Sequence, residues 1–138
     1  MLGAMALAEV KDLIQAPIED VWGIVSDFVG MIEKMGTPVT AEGEGIGMTR
    51  TLSMQGISIV ERLEELDDST HTMSYSIVEA PLPVTGYQSW ITLDTADGAT
   101  AIRWWATFEP VGSEDDAVAL VRSIYEGGIA GLKKLLAG

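Results

Sequence analysis

The amino-acid sequence predicts an α+β domain in which a curved antiparallel sheet wraps around one long C-terminal helix. From Met48 to Phe108, apolar and polar residues alternate over several short stretches, a period typical of strands. From Ser113 to Leu135, apolar residues instead recur every three or four positions, which is typical of an amphipathic helix. Turn residues divide the alternating region, so we expect about six to seven strands and two short helices after the first strand.

The composition favours one soluble domain without a nucleic-acid partner. The chain has 138 residues, of which 47% are hydrophobic, and it shows no internal repeat or linker, so we expect residues 1–138 to form a single domain. The formal net charge of −13 would repel phosphate backbones and anionic lipid surfaces. No apolar stretch approaches the ~20 residues of a membrane span, so stable membrane insertion is not expected.

The N-terminal region predicts a strand followed by two short helices. Met1 to Ala8 is apolar but lacks the basic leader of a secretory signal, so we expect a cytoplasmic protein. Met5 to Gln15 is interpreted as the first strand, and a short helix follows from Pro17, because proline suits a first helical position. The apolar positions of that helix are Ile18, Val21, Trp22 and Val25. A second short helix or turn is expected over Phe28 to Met35.

The dipeptide Gln55-Gly56 separates two alternating stretches and predicts a tight hairpin. If it forms a two-residue loop, the pairing register of the two strands is fixed. The inward-facing pairs would then be Met48 with Leu63, Arg50 with Glu61, Leu52 with Ile59, and Met54 with Ile57. Three of these pairs are apolar and one is ionic.

Three further strands are predicted after this hairpin. They cover Thr72 to Glu79, Thr85 to Asp94, and a last stretch that ends at Pro110. Their inward residues would be Met73, Tyr75 and Ile77, then Tyr87, Ser89, Ile91 and Leu93, then Ile102, Trp104, Ala106 and Phe108. Alternation places Trp90 and Trp105 on the opposite face. The loop Ala80 to Pro83 contains two prolines, which interrupt the sheet because they cannot donate ladder hydrogen bonds.

The C-terminal helix is predicted to begin after Ser113, whose side chain can cap it, and to end near Lys133 and Lys134. Its apolar face is expected to consist of Ala117, Leu120, Val121, Ile124, Gly128, Leu132 and Leu135. Gly127, Gly128 and Gly131 are unexpected there, because each glycine costs a helix interior ~1 kcal/mol relative to alanine. Either the helix approaches another part of the chain closely, or the missing side chains leave open volume.

The inward pair Arg50 and Glu61 allows two interpretations. An opposed, hydrogen-bonded pair of buried charges can exist simply because each satisfies the other. Alternatively, the pair could receive the polar end of an apolar ligand together with Tyr75, Tyr87 and Ser89. If the site is catalytic, Glu61 would be the acid or base, Arg50 would stabilise enolate charge, and Tyr87 is a further candidate.

No metal and no cofactor are expected. Cysteine is absent and His71 is the one histidine, so a histidine-based triad or a multi-histidine metal site cannot be built. The glycines from Gly43 to Gly47 lack the lysine and the helical context of a phosphate-binding loop.

The ordered elements and several motifs resemble the START-like superfamily, also called SRPBCC or helix-grip proteins. The motifs are Ala16-Pro17, Val21-Trp22, Asp27-Phe28, Gly45, Gly47, Arg50, Glu61-Arg62-Leu63, Pro81 to Tyr87, and Trp104 to Pro110. Within the superfamily the chain looks like the bacterial polyketide cyclase/dehydrase and lipid-transport branch. Plant abscisic-acid receptors and the birch-pollen allergen family share this fold.

The resemblance implies a ligand cavity between the long helix and the concave sheet. Positions matching the abscisic-acid receptor pocket are Arg50, Leu52, Met54, Glu61, Tyr75, Ile77, Tyr87, Ser89, Leu120, Ile124 and Gly128. To these we add Leu82, in the loop at the implied cavity mouth, and the inward residues Ile59, Trp104 and Phe108. The receptors' longer gating loop is reduced here to Gln55-Gly56, so hormone-gated partner recruitment is not expected.

Three functions are therefore considered. The first is noncatalytic binding or transport of a hydrophobic small molecule such as a lipid, isoprenoid or polyketide, by a monomer or weak homodimer. The second is a cofactor-independent cyclase or dehydratase that acts on the same class of molecule. The third is a structural or interaction role, for which the inward face would have to be packed solid.

Overall fold

The computed structural model describes residues 5–137. In this part of the chain, three helices and seven strands follow one another in the predicted α+β order. The strands are β1 (Ala6–Ile14), β2 (Val39–Glu42), β3 (Thr49–Met54), β4 (Ile57–Asp67), β5 (Thr72–Glu79), β6 (Val84–Ala96) and β7 (Ala99–Pro110). The helices are α1 (Ile18–Val25), α2 (Gly30–Lys34) and α3 (Glu114–Leu136).

The strands form one curved antiparallel sheet in the order β1-β7-β6-β5-β4-β3-β2. Helix α3 lies against this sheet, mainly over β1 and β7, and α1 and α2 follow the first strand. The predicted helix-grip architecture is thereby confirmed. No helix within residues 5–137 is long and apolar enough to cross a membrane.

The β3–β4 hairpin has the predicted register. Gln55 and Gly56 both adopt positive φ values, 50° and 81°, as a two-residue type I′ turn requires. Arg50 therefore lies opposite Glu61, Leu52 opposite Ile59, and Met54 opposite Ile57. Met48 lies just before β3 and is joined to Leu63 by a backbone hydrogen bond of 2.9 Å. Strand β2, which pairs with β3 on its other side, was not predicted because its residues are mostly exposed.

Helix α3 is stabilised by polar contacts near both ends. The Ser113 hydroxyl accepts a hydrogen bond from the Asp116 amide at 3.2 Å, which satisfies one of the free donors at the helix start. Near the other end, Lys133 Nζ lies 2.8 Å from Asp12 Oδ2 of β1. The ion pair links the C-terminal part of the helix to β1.

The buried face of α3 is rotated from the predicted one, although Ala117, Val121 and Leu132 were predicted correctly. The fully buried residues are Ala117, Val121, Tyr125, Ile129 and Leu132. Leu120, Ile124, Gly128 and Leu135 lie beside this face and are only partly buried. The face is centred on Tyr125. A pattern that counts only aliphatic residues omits this tyrosine, whose hydroxyl group needs a hydrogen-bond partner when it is buried.

Close approach of the helix to the sheet explains one of the three glycines of α3, Gly128. A Cβ atom on Gly128 would lie 2.5 Å from Cζ3 and 2.7 Å from Cη2 of Trp104 on β7. Gly128 therefore allows the indole ring to lie directly against the helix. Gly131 has an ordinary contact with Met35, and Gly127 faces open space.

Candidate functional site

A buried ion pair joins β3 and β4 on the inward face of the sheet. Arg50 Nε of β3 donates to Glu61 Oε1 of β4 at 2.8 Å, and the two residues are only 2% and 8% exposed. The hairpin register places them directly opposite each other. The sequence prediction of an inward-facing ionic pair is therefore correct.

Arg50 also connects the sheet to the helical segment after β1. Its Nη1 donates to the carbonyl oxygen of Phe28, in the turn between α1 and α2. Its guanidinium carbon lies 3.9 Å from the centre of the Phe28 ring and 5.0 Å from that of Tyr75. A guanidinium group over an aromatic face gains a cation–π attraction, so Arg50 is satisfied by charge, hydrogen bonds and stacking together.

A second polar group lies between β6 and α3. The hydroxyls of Tyr87 and Tyr125 are hydrogen-bonded to each other. Tyr125 donates its hydrogen to Ser89 Oγ at 2.8 Å, and Ser89 donates to the carbonyl oxygen of Trp105 at 3.0 Å. Because each hydroxyl has one hydrogen to give, Tyr87 must be the donor to Tyr125. The bonds therefore all run in one direction, from Tyr87 towards the backbone of β7.

Aromatic side chains occupy the space between these polar groups. Trp104 stacks on Tyr125 with ring centres 4.8 Å apart, and its Nε1 donates to the Tyr75 hydroxyl at 3.2 Å. Tyr87 lies between Tyr75 and Phe108, with ring centres 6.4 Å and 6.2 Å away. The region in which a ligand cavity was expected is thus occupied by packed side chains.

Two open grooves lie near the loop that joins β5 to β6. One, of about 300 Å³, is lined by Ile77, Val78, Glu79, Ala80, Val84, Thr85, Gly86 and Tyr87. The other, of about 360 Å³, is lined by Ser58, Val60, Glu79, Ala80 and Pro81. Tyr87 belongs both to the first groove and to the aromatic interior.

Comparison with known proteins identifies the family. The family model for polyketide cyclase / dehydrase and lipid transport proteins matches residues 5–137. The chain belongs to this family. An uncharacterised protein from Bacillus thuringiensis is 30% identical over 96% of this chain and 100% of its own, with a TM-score of 0.84.

Two other solved structures share the fold at different levels of sequence identity. The protein XoxI from Bacillus cereus is 30% identical over 96% of both chains, with a TM-score of 0.83. Ara h 8.0201 is only 16% identical but superposes over 97% of this chain and 99% of its own, with a TM-score of 0.81. The predicted resemblance to START-like proteins and to the allergen fold is therefore confirmed.

In this member of the polyketide cyclase/dehydrase family, the predicted site residues separate into two groups. Nine of them are buried on the concave face: Arg50, Leu52, Ile59, Glu61, Tyr75, Tyr87, Ser89, Trp104 and Phe108. Six are only partly buried: Met54, Ile77, Leu82, Leu120, Ile124 and Gly128. Whether either group binds a ligand stays a prediction.

Sequence reasoning missed two contributors to these polar groups, Tyr125 and the carbonyl group of Phe28. Tyr125 could have been found from the four-residue steps that connect it to Val121 and Ile129 on α3. The carbonyl group of Phe28 could not have been found, because a backbone acceptor leaves no signal in the sequence. Within residues 5–137, no three His, Asp or Glu side chains come together as a possible metal site.

Burial and a neighbouring charge keep the hydroxyl groups of Tyr75, Tyr87 and Tyr125 protonated. Desolvation is the largest cause that raises the pKa of Tyr75, and it raises the pKa of Tyr87 and of Tyr125 well above the ordinary value of 10.0. The negative charge of Glu61 raises the pKa of all three in addition. The three hydroxyls therefore act as neutral hydrogen-bonding groups.

We expect these tyrosines to ionise only as the protein unfolds in alkali. They are the three tyrosines of the chain, so phenolate absorbance reports on these three buried side chains alone. The pKa values of these tyrosines are raised in the folded state, so their contribution to the free energy of unfolding is fully present below about pH 10. Above that pH the contribution decreases, because the unfolded chain releases the protons and the folded chain keeps them. Absorbance and circular dichroism should change together in one alkaline transition.

The matched control for this titration is the same protein in concentrated urea, where phenolate absorbance should rise gradually around pH ~10. A gradual rise in the native protein, with unchanged circular dichroism, would show that the phenols are accessible to solvent and would contradict their burial.

Proposed function

We propose that this domain binds a hydrophobic small molecule, of the lipid, isoprenoid or polyketide class, between α3 and the concave face of the sheet. The observation that carries the proposal is the presence of two buried polar groups, Arg50 with Glu61 and Tyr87 with Tyr125 and Ser89, inside an otherwise apolar interior; together they are called the polar cluster. We propose further that the protein is cytoplasmic and acts as a monomer or weak homodimer.

The cluster is more polar than the stability of the core requires. A buried ion pair is often replaced by well-packed apolar residues at no cost in stability. Ligand sites, in contrast, combine an apolar lining with a few placed polar groups that orient the ligand. Membership of a family described by polyketide cyclase, dehydrase and lipid transport functions supports the same class of ligand.

Binding on this proposal requires the aromatic interior to rearrange. The rings of Tyr75, Tyr87, Trp104 and Phe108 are in mutual contact or stacked on neighbours, so an incoming molecule would take the place of at least one of them. An apolar ligand replaces the contacts that the displaced ring loses, and its oxygen atoms can accept hydrogen bonds from the phenols.

Native mass spectrometry of the protein purified from its own host tests the proposal. We expect a stoichiometric apolar molecule on the intact protein, which denaturing extraction would release for identification. Repeated absence of such a molecule, together with no uptake from a library of lipids and polyketides, would overturn the proposal and favour an interaction role with a filled core.

A second candidate function is acid–base catalysis on the same ligand, favoured by the buried Glu61 carboxylate that Arg50 holds at 2.8 Å on the inward face of the sheet. Glu61→Gln keeps an acceptor for Arg50 but removes the base. A cyclase or dehydratase should then lose turnover about 10²- to 10⁴-fold with binding largely kept. A carrier should instead lose about tenfold in affinity, the scale of one charge-assisted hydrogen bond.

A further inference from the structure

Tyr87 belongs both to the open groove below the β5–β6 loop and to the aromatic interior. On one side it lines the groove of about 300 Å³. On the other side its hydroxyl is bonded to Tyr125 and its ring lies between those of Tyr75 and Phe108. Tyr87 is 7% exposed.

The backbone that carries Tyr87 is less constrained than the rest of β6. The pairing of β6 with β7 shifts register between Thr85 and Gln88, and the pairing with β5 ends at Gln88. Gly86 and Tyr87 are therefore in register with neither neighbouring strand. Gly86 also has a φ of +58°, a left-handed conformation that glycine adopts without strain. A short unpaired stretch next to a glycine is the kind of segment that can open locally.

We propose that a ligand reaches the interior through this groove and that Tyr87 is the gate: its ring rotates out into the groove to admit the ligand, and its hydrogen bond to Tyr125 holds it closed. This inference rests on the proposed binding function and adds the route and the residue that controls it.

The hydrogen-bond pattern lets Tyr87 leave without stranding a buried donor. Tyr125 gives its own hydrogen to Ser89, so it keeps that bond when Tyr87 leaves. The Tyr87 hydroxyl exchanges its bond to Tyr125 for one to water in the groove. No buried donor is left without a partner, so the cost of opening is the loss of ring packing against Tyr75 and Phe108.

The charge of the groove restricts what can enter. Of the residues that line it, Glu79 is the charged one, and the chain carries a formal net charge of −13. A free carboxylate or phosphate would be repelled at this entrance. The gate therefore favours ligands that are uncharged or basic.

Stopped-flow fluorescence with Nile red, an uncharged dye that brightens in apolar surroundings, tests the gate in the full chain. Tyr87→Phe keeps the ring but removes the hydrogen bond. We expect both the association and the dissociation rate constants to rise about threefold to tenfold, the effect of one hydrogen bond, while the affinity changes less than either rate. Tyr125→Phe should accelerate both rates as well.

Thr100→Val is the matched control. Thr100 Oγ1 donates to the Ala16 carbonyl oxygen at 2.8 Å and is fully buried, near the β6–β7 turn at the other end of these strands. This variant also loses one buried hydrogen bond but should exchange the dye at the wild-type rates.

Each outcome decides between the two proposals. Saturable dye binding with equal rates in the wild type, Tyr87→Phe and Thr100→Val would overturn the gate and leave the binding function intact. Equal acceleration in Tyr87→Phe and Thr100→Val would show general loosening and would also overturn the gate. Failure of the wild type to take up the dye or any extracted apolar molecule would overturn the binding function itself.

Discussion

Replacing Arg50 with methionine is expected to lower the free energy of unfolding by about 3–5 kcal/mol, the usual cost of removing one partner from a buried ion pair. The substitution leaves the Glu61 carboxylate buried without its cation and removes the donor to the Phe28 carbonyl group. It also removes the guanidinium group that lies over the Phe28 ring. Urea denaturation followed by circular dichroism measures the effect as a lower midpoint at an unchanged slope.

The double variant Arg50→Met with Glu61→Met separates the charge effect from packing. With both charges gone, most of the lost stability should return, to within about 1–2 kcal/mol of the wild type. If the double variant is as unstable as Arg50→Met alone, the contacts of Arg50 with Phe28 carry the stability and the ion pair does not. A stable double variant that no longer retains a ligand would assign the pair to binding.

The β3–β4 hairpin shows which part of the fold could be predicted from sequence. A two-residue turn fixes register, and alternation fixes the face of each residue, so Arg50 and Glu61 could be placed opposite each other with local information alone. The same alternation placed Trp90 and Trp105 together on the outer face, where they stack with ring centres 5.5 Å apart. The helix cap at Ser113 could likewise be predicted from neighbouring residues alone.

The rotation of α3 and the content of the interior could not be predicted in this way. Tyr125 can be buried because Tyr87 and Ser89, far away in sequence, satisfy its hydroxyl group. The sequence pattern therefore identified most of the residues around the expected cavity but not that their rings fill it. Whether facing side chains meet or leave space depends on distances of a few ångströms between elements, which periodicity does not specify.

Gly128→Ala is expected to destabilise the protein even though alanine favours helices. A methyl group at this position would lie 2.5 Å from Trp104, and overpacking of this kind costs about 1–3 kcal/mol. This cost exceeds the ~1 kcal/mol that alanine contributes in a helix interior. The midpoint of urea denaturation should therefore fall. Trp104 also stacks on Tyr125 and bonds to Tyr75, so the displaced indole would disturb the cluster.

Gly127→Ala is the control, because a Cβ atom at this neighbouring helix position meets nothing within 4 Å. It should stabilise the protein by up to ~1 kcal/mol. Adding Trp104→Phe to each glycine variant provides the double-mutant comparison: it should recover part of the loss in Gly128→Ala and interact little with Gly127→Ala. If Gly128→Ala proves as stable as Gly127→Ala, the indole moves at little cost. The interior would then have the freedom to rearrange that ligand entry requires, and the closeness of Trp104 to the helix would not explain the glycine.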